Sequence, residues 1–128
     1  MAEKILIVDD DVDSLKLIGL MLKRQGYEVT VADSGGKALK KADEERPNLI
    51  ILDVMMPDMD GVELVRQLAD RNMPLPIIVM SGNEQIYMQI IEMIARQSGI
   101  EILGTLNKPF HVAQLETCLK PMLGEMVN

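Results

Sequence analysis

Short runs in which every side chain is apolar recur through this chain, and each stops abruptly at a polar residue. Ile5-Leu6-Ile7-Val8 stops at Asp9, Leu49-Ile50-Ile51-Leu52 at Asp53, and Ile77-Ile78-Val79-Met80 at Ser81. A strand with one face in water alternates apolar and polar residues. A strand apolar throughout is buried on both faces, as in a parallel sheet covered by helices on each side. A weaker run over 27–32 predicts a strand nearer an edge, and 100–106 predicts a fifth.

The intervening segments have helical spacing. Residues 12–25 carry Leu15, Ile18 and Leu22 on one face, with Gly26 as a stop. Ser34 caps a helix through Glu45, ended by Pro47, and Asp60-Gly61-Val62-Glu63 is a capping box opening a helix to about Asp70. A fourth helix is predicted over 83–97, with Ile86, Ile90, Met93 and Ile94 as its core stripe, Tyr87 and Ile91 flanking it, and Met88 and Ala95 on another side. The last, from 111 to about 124, carries Val112, Leu115, Leu119, Met122 and Met126 on one stripe, and Pro121 must sit where it frays or kinks. Five β-α units in strict alternation predict an α/β fold, a doubly wound five-stranded parallel sheet with helices on both faces. The 128 residues are the length of one domain, 1–128.

Composition removes several classes of function. A net charge of -7 opposes binding to nucleic acid or an anionic membrane. No apolar run approaches the ~20 residues of a membrane span, and Met1-Ala2-Glu3-Lys4 leads straight into a strand, so no signal peptide is expected. Cys118 is the only cysteine and His111 the only histidine, which excludes an internal disulfide and a Cys/His zinc site and favours a cytoplasmic setting. Eleven methionines against three aromatic residues suit either an irregular core or an adaptable partner surface.

In doubly wound sheets, functional groups gather beyond the carboxyl ends of the strands. There the chain places Asp9, Asp10 and Asp11, then Asp53, then Ser81 and Gly82, then Asn107, Lys108 and Pro109. If strands one, three, four and five are neighbours, these groups share one crevice. Two carboxylates ~4 Å apart repel by roughly 4 kcal/mol at an effective dielectric near 20. Lys108 supplies one positive charge and leaves the site negative. A hard divalent ion with oxygen ligands, Mg²⁺ above all, is the natural remedy. One carboxylate beside such an ion can attack a phosphoryl group, with Mg²⁺, the Lys108 ammonium and the Ser81 hydroxyl neutralising the transferred charge.

Asp9-Asp10, Asp53-Val54-Met55-Met56-Pro57-Asp58-Met59-Asp60-Gly61, Met80-Ser81-Gly82 and Lys108-Pro109-Phe110, in this order and register, resemble the receiver domain of bacterial two-component response regulators. The resemblance covers essentially the whole chain. It implies a flavodoxin-like sheet in strand order 2-1-3-4-5 and phosphorylation of Asp53 by a histidine kinase or phosphotransfer protein. It also implies Mg²⁺ held by Asp10, Asp53 and the Met55 backbone carbonyl, with Asp9 acting through metal-bound water, and Ser81 and Lys108 on the phosphoryl oxygens. A cis Lys108-Pro109 bond belongs to the same pattern. On this reading the chain is a switch rather than an enzyme. Its output is a contact with a downstream protein effector, with no direct DNA binding, and a homodimer through the fourth helix, fifth strand and fifth helix is one form that contact can take.

Competing readings exist for single residues. Asp9 and Asp10 could cap the first helix, although Asp11 and Asp13 fit that role better, and Ser81-Gly82-Asn83-Glu84 is also a capping box. Asp58 and Asp60 read as turn and cap residues, His111 as a surface residue, and Cys118 as inert core. A Mg²⁺-dependent phosphatase would share the nucleophile but places a second acid where Met55 stands. A flavin or nucleotide module needs a glycine-rich first loop, and this one is acidic. A receiver that is never phosphorylated is the third alternative. Three departures from the family pattern stand out: Thr105 where an aromatic is usual, Met55 where a polar group could orient water, and a long stretch from Ser81 to Lys108. Met55 predicts a persistent acyl phosphate. The segment Gly99-Ile100-Glu101-Ile102-Leu103-Gly104 is similar to receivers joined to EAL-type cyclic-di-GMP phosphodiesterase domains, and the apolar fourth helix reads either as ordinary packing or as a partner or dimer face.

Overall fold

The apolar runs become the central strands of one sheet. The computed structural model describes residues 3–57, 59–73 and 75–127. It contains β1 (Lys4–Val8), α1 (Val12–Arg24), β2 (Glu28–Ala32), α2 (Gly35–Glu45), β3 (Leu49–Asp53), α3 (Gly61–Asp70), β4 (Ile77–Ser81), α4 (Gln85–Ser98), β5 (Ile102–Asn107) and α5 (Val112–Val127). The strands are all parallel, in the order β2-β1-β3-β4-β5. The weakest run, β2, is an edge strand, as its mixed burial requires.

Side chains alternate across the sheet and feed two cores. Leu6, Val8, Ile50 and Leu52 pack with Ala38, Leu39, Leu64, Leu68, Ile91 and Ala95 from α2, α3 and α4. Ile5, Ile7, Leu49, Ile51 and Ile78 pack on the other face with Leu15, Ile18, Leu22, Leu115 and Leu119 from α1 and α5. The helices begin at the expected caps: Asp11 accepts from Asp13 N–H, Ser34 from Lys37 N–H and Asp60 from Glu63 N–H. Among the described residues no helix is long and apolar enough to cross a membrane.

Two local readings fail. Ser81 caps nothing: it is the last residue of β4, and α4 begins only at Gln85, with Glu84 at its N-cap and no side-chain cap bond. The Glu84 carboxylate instead accepts the Gly82 N–H at 2.7 Å. The buried side of α4 is Ile91 and Ala95, with Met88 and the expected Ile90 and Ile94 partly buried against the core, whereas the expected Ile86 is 71% and Met93 55% exposed. Both faces of α4 carry apolar residues at helical spacing, so periodicity alone could not choose between them. Pro121 lies inside α5. β5 also carries an irregularity: Ile77 pairs with Ile102 but Ile78 with Gly104, leaving Leu103 as an extra residue. The methionines lie both in the core and on the surface. Met56 and Met80 are buried, while Met55 and Met93 face solvent.

One glycine is demanded by packing. A Cβ on Gly61 would lie 2.9 Å from Val54 Cα and 3.0 Å from the Asp53 carbonyl oxygen, both backbone atoms that cannot rotate away. Gly61 N–H also donates to the Val54 carbonyl at 2.7 Å, closing the β3–α3 loop. Gly61→Ala is expected to destabilise the fold by about 1–3 kcal/mol, as overpacking does. Urea denaturation measures this, and an unchanged midpoint would contradict the close approach.

Candidate functional site

The strand ends place the site. Asp9 follows β1 directly, Asp53 ends β3, Ser81 ends β4 and Lys108 follows β5. Because β1, β3, β4 and β5 are consecutive neighbours, these residues share one rim. Lys108 Nζ donates to Asp9 Oδ2 at 2.6 Å and to Asp53 Oδ2 at 2.8 Å, bridging residues 99 and 55 positions away in sequence. The second oxygens are held by backbone: Asp11 N–H donates to Asp9 Oδ1 at 3.0 Å, and Met55 N–H to Asp53 Oδ1 at 3.2 Å. Carboxylate oxygens of Asp9, Asp10 and Asp53 all lie within 4.8 Å of one another.

The electrostatics follow from three acids around one lysine. Asp9 is fully buried and Asp53 is 8% exposed, while Asp10 faces solvent. Burial pushes the Asp53 carboxyl above the usual carboxylate range. Lys108 opposes this, and the Asp9 charge adds to it. Burial works to lower the Lys108 ammonium, but its bonds to Asp53 and Asp9 outweigh this and hold it above the ordinary lysine value. The Lys108 direction reflects the surplus of negative charge around it. The donor set is all oxygen, so a hard divalent cation fits it, and a charge of two would neutralise what Lys108 leaves.

The sequence-predicted residues are thus brought together with differing closeness. Asp9, Asp53 and Lys108 are hydrogen-bonded, and Asp10 completes the carboxylate cluster. Ser81 is 5% exposed, and its carbonyl accepts the Lys108 N–H at 2.8 Å. Met55 touches Asp53 through its amide, while its side chain is 43% exposed. Thr105 is exposed beside an open groove between α4 and β5, about 560 Å³ in volume, that ends at Ser81. The Lys108-Pro109 bond is cis. Asp58 lies outside the described residues. Cys118 is half-buried against Gly104, and burial raises its thiol. Sequence reasoning read Gly61 only as part of a capping box and a motif, since its close approach to Asp53 exists only once the loop is folded, and gave no role to Glu84 as a holder of the β4–α4 loop.

A doubly wound sheet with an all-oxygen acid–lysine cluster at its carboxyl rim defines a class of small α/β domains whose site suits a hard divalent cation. Comparison with known proteins narrows the class. The family model for the response regulator receiver domain matches residues 5–120. Among curated relatives, the chain is 34% identical over 125 residues to the alkaline phosphatase synthesis transcriptional regulatory protein PhoP of Bacillus subtilis, covering 96% of this chain and 49% of that one. It is 31% identical over 121 residues to the response regulator receiver protein CpdR of Brucella abortus, covering 94% and 97%. Among solved structures, a CheY-like receiver domain protein from Methanospirillum hungatei superimposes with a TM-score of 0.83 at 29% identity, covering 98% of this chain and 96% of that one. The response regulator TrrA of Thermotoga maritima, in complex with Mg²⁺-BeF, superimposes with a TM-score of 0.79 at 26% identity, covering 94% and 98%. The chain belongs to the response regulator receiver family, whose domains are regulatory switches of two-component systems phosphorylated on an aspartate. It spans about half the length of the first curated relatives it matches, which are named as transcriptional regulators.

Proposed function

We propose that residues 1–128 form one receiver domain in which Asp53 accepts a phosphoryl group from the phosphohistidine of a histidine kinase or phosphotransfer protein. The observation that carries this reading is the pair of hydrogen bonds that Lys108 Nζ donates to Asp9 and Asp53, at 2.6 and 2.8 Å, beside the Asp10 carboxylate. An Asp53 carboxylate oxygen attacks phosphorus, the P–N bond to the imidazole breaks, and an acyl phosphate forms. Asp10, Asp53 and the Met55 carbonyl would hold Mg²⁺ directly and Asp9 through water. The ion supplies charge neutralisation on the phosphoryl oxygens. Lys108 adds a positive charge at the same oxygens, and the Ser81 hydroxyl donates to them. Incubation with Mg²⁺ and acetyl phosphate or phosphoramidate, followed by intact mass and peptide mapping, tests the reading. A base-labile phosphate on the Asp53 peptide is expected, and its absence overturns it.

The switch acts through α4. This helix lacks a side-chain cap, and its fully buried residues are Ile91 and Ala95, so it is held more weakly than α3, where Gly61, Val62, Leu64, Val65 and Leu68 are all buried. Movement of Ser81 toward a phosphoryl group on Asp53 pulls the loop that leads into α4. The output is a protein contact over α4, β5 and α5, made to a downstream effector or to a second copy of the chain. The domain has no catalytic turnover of a diffusible substrate. Its charge of -7 gives it no DNA contact of its own, and it works in the cytoplasm. Met55 offers no polar side-chain atom to orient an attacking water, so the acyl phosphate persists. Timing phosphate loss from purified protein tests this: release within seconds contradicts it, and Met55→Glu is expected to shorten the lifetime about tenfold, somewhat less than a fully positioned general base supplies.

A further inference from the structure

The loop that joins β4 to α4 is braced by its own glutamate. Gly82 directly follows Ser81, and its N–H donates to Glu84 Oε2 at 2.7 Å. An N–H bonded to a carboxylate at that distance is charge-assisted and stronger than a neutral bond. The carboxylate lies folded over Gly82: a Cβ there would meet Glu84 Oε1 at 3.5 Å and Oε2 at 3.7 Å. Glu84 is half-buried, while Gly82, Asn83 and Gln85 around it are exposed. Among the described residues no lysine or arginine pairs with it.

This use of the carboxylate leaves α4 uncapped. Glu84 is the N-cap residue, yet its side chain makes no bond to the first-turn N–H groups. Those amides form the positive end of the helix, where a negative charge is favoured. The glutamate thus stands between two sets of donors and engages the one outside the helix. Beside it lies the α4–β5 groove of about 560 Å³, lined by Gln85 and Thr105 among others. The side chain and the loop can therefore move without repacking the core.

We propose that Glu84 is a positioning residue that latches the β4–α4 loop in the unphosphorylated chain and becomes the cap of α4 once Asp53 carries phosphate. The latch rests on Asp53 being the phosphoacceptor. Phosphorylation acts on it twice in the same direction. The Ser81 hydroxyl, turning toward the phosphoryl oxygens, carries Gly82 with it and stretches the Gly82–Glu84 bond. The added negative charge at the rim repels the carboxylate folded over Gly82. The released carboxylate keeps a favourable place at the first turn of α4. A contact made in one state only biases the equilibrium between two states, so the latch opposes phosphorylation as much as phosphorylation opposes the latch.

The test follows the amide spectrum of the isotope-labelled chain with Mg²⁺, before and after acetyl phosphate, for the parent, Glu84→Ala, Glu84→Gln and Glu92→Gln. Glu92 lines the same groove and does not bond the loop, so its variant reports the loss of a charge alone. Before phosphate, the Gly82 amide proton is expected to move upfield in Glu84→Ala. The Ser81 to Asn83 amides of that variant are expected to lie part of the way along the line joining the two states of the parent. Glu84→Gln keeps an acceptor and is expected to fall between parent and Glu84→Ala. After phosphate, the Ile86 and Tyr87 amides are expected to gain exchange protection in the parent but not in Glu84→Ala. Phosphate uptake on Asp53 is expected to be about fivefold faster in Glu84→Ala and within about twofold of the parent in Glu92→Gln. An unmoved Gly82 amide in Glu84→Ala overturns the latch, as does uptake no faster than the parent or an equal gain in Glu92→Gln. First-turn protection that phosphate leaves unchanged in the parent overturns the capping step. A parent chain that takes up no phosphate overturns the phosphoacceptor reading and the latch with it, whereas a parent that does, beside variants that behave alike, overturns the latch alone.

Discussion

Asp53→Asn protein, incubated with Mg²⁺ and acetyl phosphate, is expected to carry no base-labile phosphate, while the parent chain gains one phosphoryl group per molecule. The amide cannot act as the anionic nucleophile, and it removes one of three carboxylates from the cluster around Asp9 and Asp10. Unfolding cannot explain this loss. Burial raises the Asp53 carboxyl above its usual range, so its ionised form costs the folded state free energy at neutral pH. A neutral isostere removes that cost, and its side-chain oxygen can still accept from Lys108. The variant is therefore expected to melt at or above the parent temperature. A phosphate retained on the variant at parental stoichiometry, mapped to another aspartate, would sink the assignment of Asp53. Mg²⁺ binding, followed by titration calorimetry, is expected to weaken in the same variant.

Much of this site was legible from where four strands end. Ile5 to Val8, Leu49 to Leu52 and Ile77 to Met80 are apolar on every residue because both sheet faces are covered, and that also made their ends easy to find. Asp9, Asp53, Ser81 and Lys108 could be placed on one rim without coordinates because parallel strands all point their carboxyl ends the same way. The helical surfaces were less readable. In α4 the outward residues Ile86 and Met93 are as apolar as the inward Ile91 and Ala95, so the pattern places Ile90 and Ile94 against the core correctly but turns the stripe too far round the helix. The Ser81 capping box failed for a related reason: a Ser-Gly-Asn-Glu tetrad satisfies the local rule, but β4 extends to Ser81 and its carbonyl is taken by Lys108. Gly61 reads as an ordinary turn glycine in sequence, and only the distances from an added Cβ show why the fold needs it.

Replacing Lys108 has the second large consequence. Lys108→Met keeps the length of the side chain and removes the ammonium that pairs with Asp9 and Asp53. Without metal, two buried carboxylates then face each other unpaired, which is expected to destabilise the fold by about 2–4 kcal/mol, somewhat under the usual cost of breaking a buried pair because Lys108 is 28% exposed. The pH dependence has a definite sign. Asp53 is already raised with Lys108 present, and removing a cation raises it further. A carboxyl whose folded value exceeds its unfolded value binds its proton more tightly in the folded state, so stability rises as pH falls through the acid range. The deficit of Lys108→Met is therefore expected to be largest at neutral pH and to close toward acid, and denaturation at several pH values would show it. Added Mg²⁺ is expected to recover stability more in this variant than in the parent, because the ion replaces the missing charge. Asp53 keeps its nucleophilic oxygen, so the variant still takes up phosphate with Mg²⁺ and acetyl phosphate. The amides from Ser81 to Gln85 are expected to stay at their unphosphorylated positions, since Lys108 no longer engages the phosphoryl oxygens while its N–H holds the Ser81 carbonyl. Parental shifts in that loop would show that Ser81 moves without the lysine.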